Sequence, residues 1–155
     1  MSAMLPPAGS PRRPRDELGR PLPWGAQSRL RMEDYDALPF EENQRLGIEH
    51  FNRGQYFPAH EAWESAWKQA RGTPDEQFFR GLAQLGAGYT HCQRGNHHGA
   101  HTLMVRALAR LRMYAPRHAG LDVDALCRAV TADAEAIRAA EAARRPLPPA
   151  HPPRL

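Results

Sequence analysis

Proline is segregated along this 155-residue chain, and the segregation limits the fold more than any motif does. Seven of its 15 prolines fall in residues 1–39 and five in residues 144–155, leaving Pro58, Pro74 and Pro116 for everything between. Proline fixes φ and donates no amide hydrogen, so dense runs of it break helices and central strands. One contiguous stretch, 39–143, is left to build regular structure. The leader (1–38) and the tail (144–155) are Pro/Arg-rich, show no hydrophobic periodicity and are expected to be disordered, Trp24, Leu30 and Tyr35 being the leader's only candidates for docking. A core of about 100 residues lies near the commonest domain size and can bury an adequate centre.

Charge follows the same boundaries. The chain carries a net +4 with a pI near 9.6, which at first suggests an acidic partner. Residues 1–39 hold +1 of that and residues 144–155 hold +3, so the core is neutral. Specific nucleic-acid binding by the core is therefore not expected. Nor is a membrane partner, because no run of about 18 apolar residues occurs. Cys92 and Cys127 sit in apolar helical contexts and read as reduced core residues. The N-terminus has no apolar signal region, so a bacterial-type cytoplasmic protein is the expectation.

Within the core, five helical segments are punctuated by glycine and proline, and the class is all-α. The first runs from about Pro39 to Arg53 and stops at Gly54; the second runs from Tyr56 to Arg71 and stops at Gly72. Thr73-Pro74-Asp75-Glu76 supplies a cap, a proline at the first helical position and an acid at the third, opening a helix that runs to Arg94 and Gly95. A fourth spans about Asn96 to Tyr114, and a fifth starts at the cap residue Asp122 and runs to about Ala143. Residues 47–66 also align with 88–107 at an offset of 41. Gly47/Gly88, His50/His91, Arg53-Gly54/Arg94-Gly95, Ala59-His60/Ala100-His101 and Ala66/Ala107 are identical. The expected architecture is a single small bundle of two similar helical hairpins plus a C-terminal helix.

Polar residues in this apolar setting are the candidates for chemistry. The third helix has no charged residue between Arg80 and Arg94, which marks it as central, yet Gln84 and His91 lie two turns apart along one line. Buried polar groups need partners, since an unsatisfied one costs about 1–3 kcal/mol. The second helix offers His60 and Glu64 four apart and Glu61 three before Glu64. On a helical wheel His60 borders the Trp63/Trp67 stripe, Glu64 lies just outside it, and Glu61 points nearly opposite. His60 and Glu64, with His91 from the third helix, form a candidate ligand set for a divalent Zn, Mn or Fe ion, with Gln84 supporting His91. The alternative is a metal-free cluster in which the two histidines are neutral and hydrogen-bond carboxylates. His97, His98 and His101 form a second cluster, expected to face solvent. No nucleophile elbow or Gly-rich phosphate loop occurs.

The run Phe51-Asn52-x-Gly54, Ala59-His60-Glu61-x-Trp63-Glu64-x-x-Trp67, Gly81-Leu82-x-Gln84-Leu85 and His91-x-x-Arg94-Gly95-Asn96-x-x-Gly99-Ala100 resembles the family called domain of unknown function 309. The likeness covers about residues 45–130. It implies a small all-helical bacterial or archaeal domain with no established reaction, and it carries the family pattern onto His60, Glu61, Glu64, Gln84, His91 and Asn96. Two functions follow as expectations. The first is a binding or scaffold module with a polar His/Glu cluster between the second and third helices, acting as a homodimer or on a protein or small ligand. The alternative is a metal-dependent, hydrolase-like enzyme with His60, Glu64 and His91 as ligands and Glu61 as general base.

Overall fold

The computed structural model describes residues 12–155, so residues 1–11 of the leader lie outside the described residues. The chain divides into two units, Met1–Met32 and Glu33–Leu155. In the first, Asp16 organises a turn. Its Oδ1 accepts the amide hydrogens of Leu18 and Arg20, both at 2.9 Å, and its Oδ2 accepts Arg20 Nε–H at 2.7 Å.

The second unit is the helical bundle. Its helices are α1 (Phe40–Asn52), α2 (Tyr56–Gln69), α3 (Glu76–Gln93), α4 (His97–Leu111) and α5 (Val123–Ala142). Each packs on its neighbour in sequence, as short connections require. The five helices fall where the sequence places them, and α3 runs through the centre. Phe78, Phe79, Leu82, Leu85 and Tyr89 on α3 are fully buried.

The first two hairpins turn in the same way. Gly54 (φ +73°) and Gly95 (φ +72°) hold the left-handed conformation that ends a helix without a Cβ clash. At the first turn, Gln55 N–H bonds His50 O at 2.9 Å and Gly54 N–H bonds Phe51 O at 3.0 Å. At the second, Asn96 N–H bonds His91 O at 2.9 Å and Gly95 N–H bonds Cys92 O at 3.1 Å. Both are the paired 6→1 and 5→2 bonds of a Schellman cap.

Three local features differ from expectation. The third helix starts at Glu76, not Pro74. Thr73 Oγ1 donates to Ala70 O at 2.6 Å and accepts from Asp75 N–H, so it closes the preceding turn and does not cap α3. A short 3₁₀ turn, Tyr35–Ala37, lies at the end of the expected leader with Tyr35 buried. After Pro116 a two-residue hairpin pairs β1 (Arg117–His118) with β2 (Leu121–Asp122), too short to leave an alternating pattern. The Pro-rich residues 145–155 lie against the bundle and are tied to it by hydrogen bonds donated by Asn52 and His97 and one accepted by Asp133. Among the described residues no helix is long and apolar enough to cross a membrane.

Candidate functional site

Close packing of α3 on α2 builds the site. A Cβ at Gly86 would stand 2.9 Å from the backbone N of His60 and 3.0 Å from its Cα. The glycine therefore lets the α3 backbone approach α2 at this residue. Three residues earlier, Ala83 O comes within 2.7 Å of His60 Nδ1. A carbonyl only accepts, so Nδ1 carries the hydrogen and donates it. Nε2 then faces Glu64 Oε2 at 3.2 Å, one helical turn along α2. Glu61 joins them: one ligand atom from each of His60, Glu61 and Glu64 lies within 4.8 Å of the others. The wheel sends Glu61 to the opposite side, but its side chain is long enough to return toward its neighbours.

The electrostatics of the pair are mutual. Burial works against a charged His60, but the hydrogen bonds to Glu64 and the Ala83 carbonyl, with the field of Glu61, outweigh it and raise the pKa above its ordinary value. His60 in turn holds Glu64 below the usual carboxylate range, against the opposing effect of burial. Both line a groove of about 220 Å³ with Trp67 on α2, Arg80 and Gln84 on α3, and Leu103 on α4. The Arg80 guanidinium lies 5.2 Å from the Trp67 ring centroid. Gln84 reaches the groove but serves α4, its Oε1 accepting from Arg110 Nη1 at 3.1 Å.

His91 and Asn96 are placed elsewhere. Among the described residues, the group of three that could hold an ion contains His60, Glu61 and Glu64, and His91 is not in it. His91 Nδ1 accepts from Asn96 Nδ2 at 3.2 Å, and the ring packs where a Cβ on Gly99 would lie, 2.7 Å from that nitrogen. Burial, reinforced by Arg94, lowers its pKa. Asn96 Oδ1 also accepts Gly99 N–H at 2.9 Å, capping α4. These two residues belong to the α3–α4 turn. His97 donates to Arg145 O at 3.0 Å, while His98 is exposed.

Two further groups, one in this site and one on α5, carried signals the residue types alone did not show. The Ala83 carbonyl is invisible to side-chain motifs, although Gly86 three residues later marks where the backbones could meet. Asp133 occupies the core-facing line Leu126, Val130, Ile137 of α5, and an acid in that register announces a buried partner.

The groove lies within a recognised segment. Residues 45–103 match the family model described as domain of unknown function, DUF309. Over those residues the match bears out the likeness drawn from the sequence motifs, and it runs from α1 into α4, so all of α2 and α3 lie within the matched residues. No curated protein and no solved structure matches the chain.

Proposed function

We propose that this protein is a binding module whose ligand-bearing surface is the α2–α3 groove of its DUF309 segment. The ligand held by His60, Glu61 and Glu64 is a divalent cation of the Zn, Mn or Fe class. One observation carries this reading. With Nδ1–H committed to the Ala83 carbonyl, Nε2 and Glu64 Oε2 stand lone pair to lone pair at 3.2 Å, so a positive charge belongs between them. A proton is the minimum. Two donors each about 2.0–2.2 Å from one ion sit about 3.0–3.4 Å apart, so the same spacing suits an edge of a metal's coordination shell. A backbone carbonyl that fixes the ring tautomer is a usual companion of a ligating histidine.

Counted as a ligand, Glu61 is no longer free to act as a general base, and the reading is of binding in preference to hydrolysis. Three donors leave at least one coordination position for water, a small ligand or a side chain from a partner protein. Calorimetric titration of untagged protein with Zn²⁺ and with Mn²⁺ tests it. One equivalent should bind, with His60→Ala and Glu64→Ala each weakening binding at least about tenfold, as loss of a ligand does. His91→Ala should leave it unchanged. Stoichiometry below about a tenth of an equivalent, or equal binding by His60→Ala, overturns the reading.

A further inference from the structure

A second polar cluster, beside a cavity that shares no lining residue with the His60 groove, is completed by the Pro-rich segment itself. Asp133 on α5 is only 4% exposed. Its Oδ2 accepts the Tyr89 hydroxyl hydrogen at 2.6 Å, and its Oδ1 accepts the amide hydrogen of His151 at 2.9 Å. A carboxylate withdrawn from water must be supplied with donors, and here one of the two comes from the tail. Within Pro148-Pro149-Ala150-His151-Pro152-Pro153 only Ala150 and His151 own an amide hydrogen, and Asp133 takes one of them. Asn52 on α1 reads the segment at a second point. It donates to Leu155 O and accepts Leu155 N–H, both at 2.8 Å.

The surface between these points is aromatic. The Tyr56 and Tyr89 rings lie 5.3 Å apart and, with Cys92, line a cavity of about 380 Å³ beneath Leu147 to Ala150. Burial, helped by the charge of Asp133, pushes the Cys92 thiol up to about 12, so this floor is uncharged at neutral pH. Ala150 and Leu155 are partly buried against the core. Aromatic lining with a few acceptors placed for scarce amide hydrogens is the chemistry that recognises extended proline-rich chains, whose restricted backbone loses little entropy on docking.

We propose that the face bearing Tyr56, Tyr89, Asp133 and Asn52 is a binding site for an extended proline-rich peptide, and that residues 145–155 fill it in cis. Its lining residues are distinct from those of the cation groove. A segment of another protein with an amide donor between two Pro-Pro pairs competes for it, against a tethered occupant whose effective concentration is of millimolar order.

The test uses the full chain and a fluorescein-labelled peptide of residues 145–155. His151→Pro with Leu155→Pro removes both donated amides without altering any residue of the helices, and circular dichroism verifies that the helices persist. By fluorescence anisotropy the doubly substituted chain should bind the peptide at least about tenfold more tightly than the unsubstituted chain does. A peptide with proline in place of His151 should bind it at least about tenfold more weakly than the native peptide. Equal binding by the two peptides, or no binding to the substituted chain, overturns the proposal. On the unsubstituted protein, the His151 and Leu155 amides should exchange at least about tenfold more slowly than in the free peptide; free-peptide rates overturn docking. A concentration-dependent dimer that the two substitutions dissolve overturns the cis arrangement and puts the segment in a second copy's groove.

Discussion

The α1–α2 and α3–α4 hairpins are built alike and differ in chemistry. Residues 41 apart do the same structural work. Gly47 lies under Trp63 as Gly88 lies under Met104. His50 Nδ1 meets Gln55 as His91 Nδ1 meets Asn96. Each hairpin's second helix also forms a groove with the helix that follows it. His60, Glu64 and Trp67 line one of about 220 Å³, and the equivalent His101, Val105 and Leu108 line one of about 190 Å³. Where the first carries Glu61 and Glu64, the second carries Thr102 and Val105. Most shared positions therefore serve turns and packing; His60 is shared with His101, but the carboxylates that make its groove a candidate site sit where the copies depart from each other.

The largest break in the comparison should come from the paired glycines. A methyl at Gly47 would land on the indole of Trp63, a rigid ring fully buried with its centroid 5.7 Å from that of Phe51. A methyl at Gly88 would meet Met104 Cγ at 3.2 Å, and a thioether chain can rotate aside. Gly47→Ala should cost about 3 kcal/mol through overpacking. Gly88→Ala should come out within about 1 kcal/mol of neutral, since alanine's better helix propensity offsets the tight contact. Urea unfolding measures both. Equal losses would mean that the two close approaches are alike in position only.

How much of this was legible follows from the range of the forces involved. Gly54, Gly95 and Asp122 mark helix boundaries through local backbone geometry and capping, which sequence reports directly. Helical spacing likewise put Trp63, Met104 and Ile137 in the core. The site was only half legible. His60 and Glu64 share a helix, so their meeting follows from the 3.6-residue period. Placing His91 with them required knowing how far α3 slides along α2, and that register is set by Gly86 against His60. The docking of residues 145–155 depends on Asp133 and Asn52, 18 and 103 residues from the tail residues they bind, so although the register of Asp133 announces a partner, no local pattern says which one.

The equivalent histidines at the two turns give a smaller contrast. His50 bridges two elements: Nδ1–H donates to Gln55 Oε1 at 2.8 Å, and Nε2 accepts from the Tyr35 hydroxyl at 2.9 Å. Tyr35 is buried, so His50→Ala leaves its hydroxyl without that partner and should cost about 2 kcal/mol. His91 makes its hydrogen bond at an exposed turn, where water can replace the ring, and His91→Ala should cost about 1 kcal/mol or less. Thermal unfolding of both variants beside the parent separates them. A larger loss for His91→Ala would point to a role beyond the turn.

The smallest effect is the pH dependence contributed by the His60–Glu64 pair of the first hairpin. The folded pKa of His60 is raised above 6.5 and that of Glu64 is lowered below 4.5. A raised histidine contributes stability that is complete below about pH 6.5 and is lost as pH climbs through the folded value. A depressed carboxylate contributes stability that is complete above about pH 4.5 and is lost as pH falls through the folded value. The pair is thus fully stabilising between those limits. Because both side chains are partly solvated, its contribution should be about 1 kcal/mol or less. In chelator-treated protein, His60→Gln should flatten the decline above pH 6.5, and His101→Gln should leave it intact. Saturating Zn²⁺ should reverse that decline in the parent, because the metal takes the Nε2 lone pair once the proton has left and binds more tightly as pH rises. A decline that Zn²⁺ does not alter would leave the proton as the only positive charge between His60 and Glu64 and would overturn the cation reading of the first hairpin's groove.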